Sequence, residues 1–552
     1  MVSHFLSYCR SFSVPALCLG TVFFAASLTP SLLPRDFLVQ GLLSGVAFAA
    51  GYGIAMALTW LGIYLGLHAG IRGWRAEGAK IIFTLVAVVV GTIFLWQASD
   101  WQNSVRLLMG LEPVVEVRPF TVGGIALVVA FLLIKLGRLF RLAFSTIAQR
   151  LKGQLPRRSA NLVALALASA LFWVIGNGLL ASTAFRVMDA SYREFDALIE
   201  DGVAQPTDPL KTGSAASLLQ WDHLGRTGRE AIAAGPNRAD IEAFTGSPAL
   251  EPLRVYVGVE SAETIAQRAQ LALDELKRIG GFGRSVLVIA TPTGTGWLDP
   301  ASQQPLEYLH HGDVATVVVQ YSYLASWLAL LAEPDVGADT SKAVFEAIYG
   351  YWRELPVESR PRLYLFGLSL GALNSDLSTN LFQVIDDPFN GVLLAGPPFN
   401  TPTWREATQA RLANSPAWLP RLSDGWPIRF TNQTNQLAGE DGGEGMRIAF
   451  LQYGSDPITF FETTAAWKRP AWMDEPRAPD VSHDLRWYPV VTFLQLVVDL
   501  MTATTTPMGY GHVYAPEHYI DAWVYVTRPS GWTQPELDRL KAMLGAKLRT
   551  EE

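Results

Sequence analysis

The sequence predicts an α-helical membrane region followed by an α/β domain built on a mostly parallel sheet. Three observations lead there. Five apolar runs crowd into fewer than two hundred N-terminal residues. Beyond them, short continuously apolar runs alternate with segments of helical period. One of those short runs leads directly into Gly367-Leu368-Ser369-Leu370-Gly371, a small hydroxyl between two glycines.

With 552 residues the chain exceeds one ordinary domain. Half of the residues are hydrophobic, only 17% are charged, and mean hydropathy is +0.21, high for a soluble protein. A net charge of −7 gives no reason to expect nucleic acid as a partner. The only cysteines are Cys9 and Cys18, so everything after Cys18 lacks a disulfide, a cysteine zinc site and a cysteine nucleophile.

The apolar runs cover residues 14–33, 37–67, 81–96, 120–134 and 162–181. A bilayer needs about 20 apolar residues per helix, so all five are read as spans, the fourth being the shortest. A cleaved signal peptide, with small residues at Ala25-Ala26-Ser27, is the alternative for the first; the spans that follow at once favour an anchor. Orientation follows from the cations. Between spans four and five stand Lys135, Arg138, Arg141, Arg150, Lys152, Arg157 and Arg158, without Asp or Glu. Between spans two and three stand Arg72, Arg75 and Lys80. The opposite loops mix signs: Arg35 with Asp36, then Arg106 and Arg118 among Asp100, Glu112 and Glu116. The basic loops are expected in the cytoplasm, which places everything after Ala181 outside. The spans carry few ionisable groups, and Lys135 can snorkel from a span end, which argues against an ion or proton pathway.

A polar connector over 186–250 follows, with a helix expected over 227–234. Strands are predicted over 254–259, 285–290, 314–320, 362–366, 391–395 and 446–453, with an edge strand at 524–528. Helices are predicted over 262–279, 341–355, from Ala372 onward, 516–523 and 534–548. Apolar strands separated by helices imply a parallel sheet covered on both faces, and residues 251–552 are a normal length for one such domain.

G-x-S-x-G alone is weak evidence, because chance supplies it often in a glycine-rich chain. It gains weight if the serine sits on a strained strand-to-helix turn and has partners. Serine needs a base to take its proton, and the base needs a carboxylate to orient it. Both follow in the order serine, acid, histidine. After the 446–453 strand comes Gly454-Ser455-Asp456-Pro457, and later Met508-Gly-Tyr-Gly-His512 in a glycine-rich loop. Asp474, Asp480 and Asp484 lie in an insert rather than at a strand end. His483 and His518 compete with His512, but His518 falls in a predicted helix as a structural residue. His310-His311 resemble a metal pair without further ligands and are read as a surface loop. An oxyanion needs two backbone N–H donors. Leu370, next to the serine, is one; the loop Thr291-Pro-Thr-Gly-Thr-Gly-Trp297 offers Thr293 or Gly294, since Pro292 has no N–H. No G-x-G-x-x-G or G-K-[ST] motif suggests a nucleotide, and no cofactor or metal is expected.

These parts resemble the bacterial membrane proteins that join an N-terminal multi-helix membrane domain to an α/β-hydrolase domain. The resemblance rests on SLTPSLLPR, ATPTGTGWLDP, GDVATVVVQYSYLASWL, RPRLYLFGLSLG, the SDPI around Asp456, and RWYPVVTFLQLVVDL followed by GYGHVY. It implies an α/β-hydrolase fold with cap-like inserts, Ser369, Asp456 and His512 as the triad, and a membrane domain over 1–185. It does not specify the substrate.

Inserts at 401–445 and 458–507 flank the expected site. The second carries Trp467, Trp472, Trp487, Tyr488 and an apolar run over 490–501. Such a cap suits a lipidic or acyl substrate near a bilayer, although core packing explains that run equally. The expectation is a membrane-tethered serine esterase or lipase of the cell envelope. Acyl transfer to an alcohol by the same residues is the close alternative. A non-catalytic binding scaffold on the same fold is the alternative from another class, and a transporter formed by the spans is a third.

Overall fold

A computed structural model describes residues 12–66, 74–115, 118–176, 196, 203–324, 328–329, 333, 335–423, 427–438 and 445–551. Arg72, Glu116, the end of the fifth run at 177–181 and most of the connector before 203 lie outside the described residues. The chain forms two compact units. One comprises residues 1–183 with 461–473 and 479–506; the other comprises 184–460, 474–478 and 507–552.

The first unit is helical. Helices Phe37–Tyr64, Ile82–Met109, Pro119–Leu151 and Arg157–Gly176 are long and apolar enough to cross a membrane. They present large apolar side chains outward, among them Val88, Leu127, Leu132 and Leu162. The first run behaves differently. It forms the 14-residue helix Val14–Ser27, and the apolar residues after it belong to a buried irregular loop interrupted by Pro30 and Pro34. Apolar content alone does not separate such a loop from a span. The fourth run is longer than predicted, because the helix continues through the basic segment to Leu151.

Helix Phe37–Tyr64 begins where the Asp36 carboxylate accepts from Leu38 N and Val39 N. Its glycines allow close packing. A Cβ on Gly45 would lie 2.8 Å from Ala126 O, and one on Gly51 2.7 Å from Leu19 O. Arg35, counted by its charge as a loop cation, is buried.

The second unit holds a seven-stranded, all-parallel sheet: β1 Leu253–Val257, β2 Val286–Thr291, β3 Val314–Val319, β4 Arg362–Leu368, β5 Gly391–Ala395, β6 Ile428–Thr431 and β7 Arg447–Leu451. The order is β1-β3-β2-β4-β5-β7-β6. Every residue of β2, β3 and β5 is buried, which accounts for their unbroken apolar sequences. β4 stands mid-sheet, pairing Thr291 with Gly367 on one side and Ala395 with Leu368 on the other. The expected strand at 524–528 is instead the end of helix Pro516–Thr527, whose Trp523 is buried and donates to Ser302 O at 3.0 Å. β6 was not predicted.

Candidate functional site

In a parallel sheet the C-terminal ends of the strands share one edge, where loops bring side chains together. Four such ends meet here. β4 ends at Leu368 and helix Leu370–Leu377 starts two residues later. Ser369 makes the turn at φ 58°, ψ −129°, a backbone that a residue with a Cβ adopts only at a cost. The turn is held from both sides. Ser369 N donates to Ala395 O of β5 at 3.0 Å. A Cβ on Gly371 would come 2.2 Å from Thr291 O, so only glycine lets the helix start so close to the end of β2.

Beyond β7, Tyr453 O accepts from Asp456 N at 3.1 Å, closing a turn that delivers Asp456 fully buried. A buried carboxylate is tolerated when its oxygens are filled. Asp456 Oδ1 accepts from Ile458 N at 2.8 Å. Asp456 Oδ2 lies 2.8 Å from His512 Nδ1 and accepts from the Tyr514 hydroxyl at 2.7 Å. Burial and the Asp456 charge push the Tyr514 phenol well above its ordinary range, so it remains a donor.

His512 rides on a small loop after Pro507. Gly509 N donates to Val513 O at 2.8 Å, and Gly511 N donates to Ser455 Oγ at 2.9 Å, which joins the loop to the residue before Asp456. The ring faces the end of β5: a Cβ on Gly396 would lie 2.6 Å from His512 Cε1. Gly396 N in turn donates to Leu451 O of β7 at 2.9 Å. Ser369 and His512 therefore both border residues 395–396. The structure joins Asp456 to His512 by a hydrogen bond and forms none between Ser369 and His512, whose Nε2 is buried without a partner.

The predicted oxyanion donors lie after β4, at Leu370, and in the loop after β2, at Thr293 and Gly294. Leu370 is the first residue of its helix, so its N–H has no acceptor within the helix. Thr293 N donates to Trp297 O at 3.1 Å, and Gly296 N donates to Thr293 O at 2.9 Å. Two buried side chains hold this loop from below: Tyr256 donates to Gly296 O at 2.8 Å and Gln320 Nε2 to Thr295 O at 3.0 Å.

Sequence reasoning did not single out Tyr514, Ser455, Tyr256 or Gln320. Ser455 adjoins Asp456 and Tyr514 stands two residues after His512; the other two carry no local signal. The competing histidines have structural settings. His518 Nδ1 is bonded to the Tyr453 hydroxyl, and burial pushes its imidazole down to about 4. His310 is buried, not in a surface loop; its Nε2 lies 2.9 Å from Thr527 Oγ1 and burial pushes it down to about 3. Among the described residues no group of three or more His, Cys, Asp or Glu could hold a metal ion.

Residues 253–540 match the model of a family described as "Alpha/beta-hydrolase family". Residues 28–236 match the model described as "Alpha/beta-hydrolase family N-terminus". No curated protein and no solved structure matches the chain.

Proposed function

The chain belongs to the alpha/beta-hydrolase family, and from that premise we propose that it is a membrane-tethered serine hydrolase acting on an acyl ester. One observation carries the reading: a serine on a positive-φ turn and a histidine bonded through Nδ1 to a buried carboxylate both border residues 395–396 at the end of β5. Ser369 Oγ attacks the ester carbonyl while its proton passes to His512 Nε2. The tetrahedral oxyanion takes hydrogen bonds from Leu370 N–H and from the Thr293–Gly294 stretch, where use of Thr293 N–H requires its bond to Trp297 O to open. Asp456 orients His512 and stabilises the imidazolium. The imidazolium protonates the departing alkoxide as the carbon–oxygen bond breaks, leaving an acyl-serine. Water, deprotonated by His512, then releases the acid and restores Ser369.

Purified protein in detergent is expected to hydrolyse acyl esters of graded chain length. Folded protein that turns over none of them would contradict this reading and favour a binding role. Tyr514→Phe removes one donor to Asp456 and adds no bulk; kcat should fall about 3- to 10-fold with KM little changed. An unchanged kcat would show that the hydroxyl does not help to hold the acid.

We propose that the site lies on the outer side of a bacterial inner membrane, because the cations from Lys135 to Arg158, in the C-terminal half of helix Pro119–Leu151 and just after it, are expected to stay in the cytoplasm. Alkaline phosphatase fused to the C-terminus should be active; an inactive fusion, with a cytoplasmic reporter active at the same point, would reverse the orientation.

A further inference from the structure

A tether needs one helix, and this chain supplies several. The insert between acid and histidine gives a reason. Residues 461–473 and 479–506 do not form a free-standing cap; they fold into the N-terminal helical unit. That insert is joined to the site at both ends by a few residues of chain: Asp456 precedes Phe461 by five positions, and His512 follows Thr506 by six.

The insert is fastened by specific polar contacts. Helix Val491–Met501 has 11 residues, too few to cross a bilayer, yet it carries a fully buried aspartate. Asp499 Oδ1 accepts from Ser31 Oγ at 2.8 Å and Oδ2 from Leu32 N at 3.0 Å. One turn earlier, Gln495 Nε2 donates to Thr29 O at 3.0 Å. Ser482 Oγ and Ser104 Oγ lie 2.7 Å apart. The receiving loop is itself fixed. The buried Arg35 guanidinium donates to Thr29 O at 2.9 Å and Ser27 O at 3.3 Å, while Arg35 N donates to Gln102 Oε1 at 2.8 Å. Within the insert, Val490 N donates to Ala466 O and Trp487 Nε1 to Ala465 O, both at 2.8 Å, and Phe461 packs against Phe493 at 5.7 Å. Thus the helix that holds Asp499 also holds the residues that directly follow the Asp456 turn.

An apolar side chain would fill the Asp499 position at less desolvation cost. A charge there is favourable only in the one register that fills its oxygens, so it specifies position. We infer that Asp499 is a positioning residue: it fixes the insert and, through the short lengths of chain that leave the insert at either end, the placement of His512 against Asp456. The inference rests on the serine-hydrolase reading.

Full-length protein in detergent carries the test, with Asp499→Asn, Ser31→Ala and, as control, Met501→Ser on the exposed face of the same helix. The readouts are the rate of fluorophosphonate labelling, kcat and KM on a soluble short-chain ester, and the thermal unfolding midpoint. Asp499→Asn should slow labelling and lower kcat about 10-fold or more with KM within about 2-fold, as expected for a misplaced reacting group. Ser31→Ala should show the same pattern at about 3-fold, and it decides the matter if Asp499→Asn does not fold. Met501→Ser should behave as the native protein. Folded Asp499→Asn and Ser31→Ala variants that label at the native rate would overturn the inference and leave the hydrolase reading intact. A raised KM at constant kcat would also overturn it, because the reacting groups would then be in place and only substrate binding affected. A native protein that never labels would overturn the hydrolase reading, and the inference with it.

Discussion

Ser369→Ala is expected to lower ester turnover by roughly 10⁴- to 10⁶-fold, the usual cost of removing the nucleophile of a triad. Stability should hardly move. Alanine keeps a Cβ in the same positive-φ turn, so the strain is unchanged, and the turn is fixed by Ser369 N on Ala395 O rather than by the hydroxyl. Asp456→Asn should cost about 10⁴-fold in kcat, because an amide beside Nδ1 favours the wrong tautomer of His512. Steady-state rates on a chromogenic ester check both. Turnover by Ser369→Ala within ten-fold of native would remove the serine from the chemistry.

The second large effect is expected at Gly396. Alanine there would put its Cβ 2.6 Å from His512 Cε1 and 2.9 Å from Tyr514 Cε2, at φ 49°. The backbone cannot retreat easily, since Gly396 N is bonded to Leu451 O. The imidazole must move, and kcat should fall about 100-fold, the usual penalty for displacing a reacting group by about 1 Å. The positive φ adds roughly 1–3 kcal/mol of destabilisation. A near-native kcat in a folded Gly396→Ala protein would show that the ring position in this structure is not the one used in catalysis.

Much of this was legible in the sequence because the signals are local. β2, β3 and β5 are buried on both faces, so their apolar runs stand out. The strand-to-helix turn at Ser369 is written in glycines, which its neighbours' backbones leave no room to replace. Two errors share a cause: a short apolar run has no period. Residues 524–528 read as a strand and proved to be the buried end of a helix packed by Trp523. Residues 28–33 read as the end of a span and proved to be an irregular loop. β6 is four residues long and carries Arg429, so nothing marked it. Least legible was the allegiance of the insert. Asp499 meets Ser31 across 468 positions, and no pattern in either segment announces the other. Tyr514 was hidden differently: it stands two residues after the predicted histidine, but an aromatic there reads as core until its hydroxyl is seen on Asp456.

The most direct test is to treat the native full-length protein with a fluorophosphonate probe and map the adduct by peptide mass spectrometry, beside Ser369→Ala and His512→Ala. A single adduct on Ser369 of the native protein, absent from Ser369→Ala and nearly absent from His512→Ala, is the expected result. An adduct elsewhere, labelling of Ser369 that ignores His512, or none on a folded native protein would contradict a serine nucleophile activated by His512.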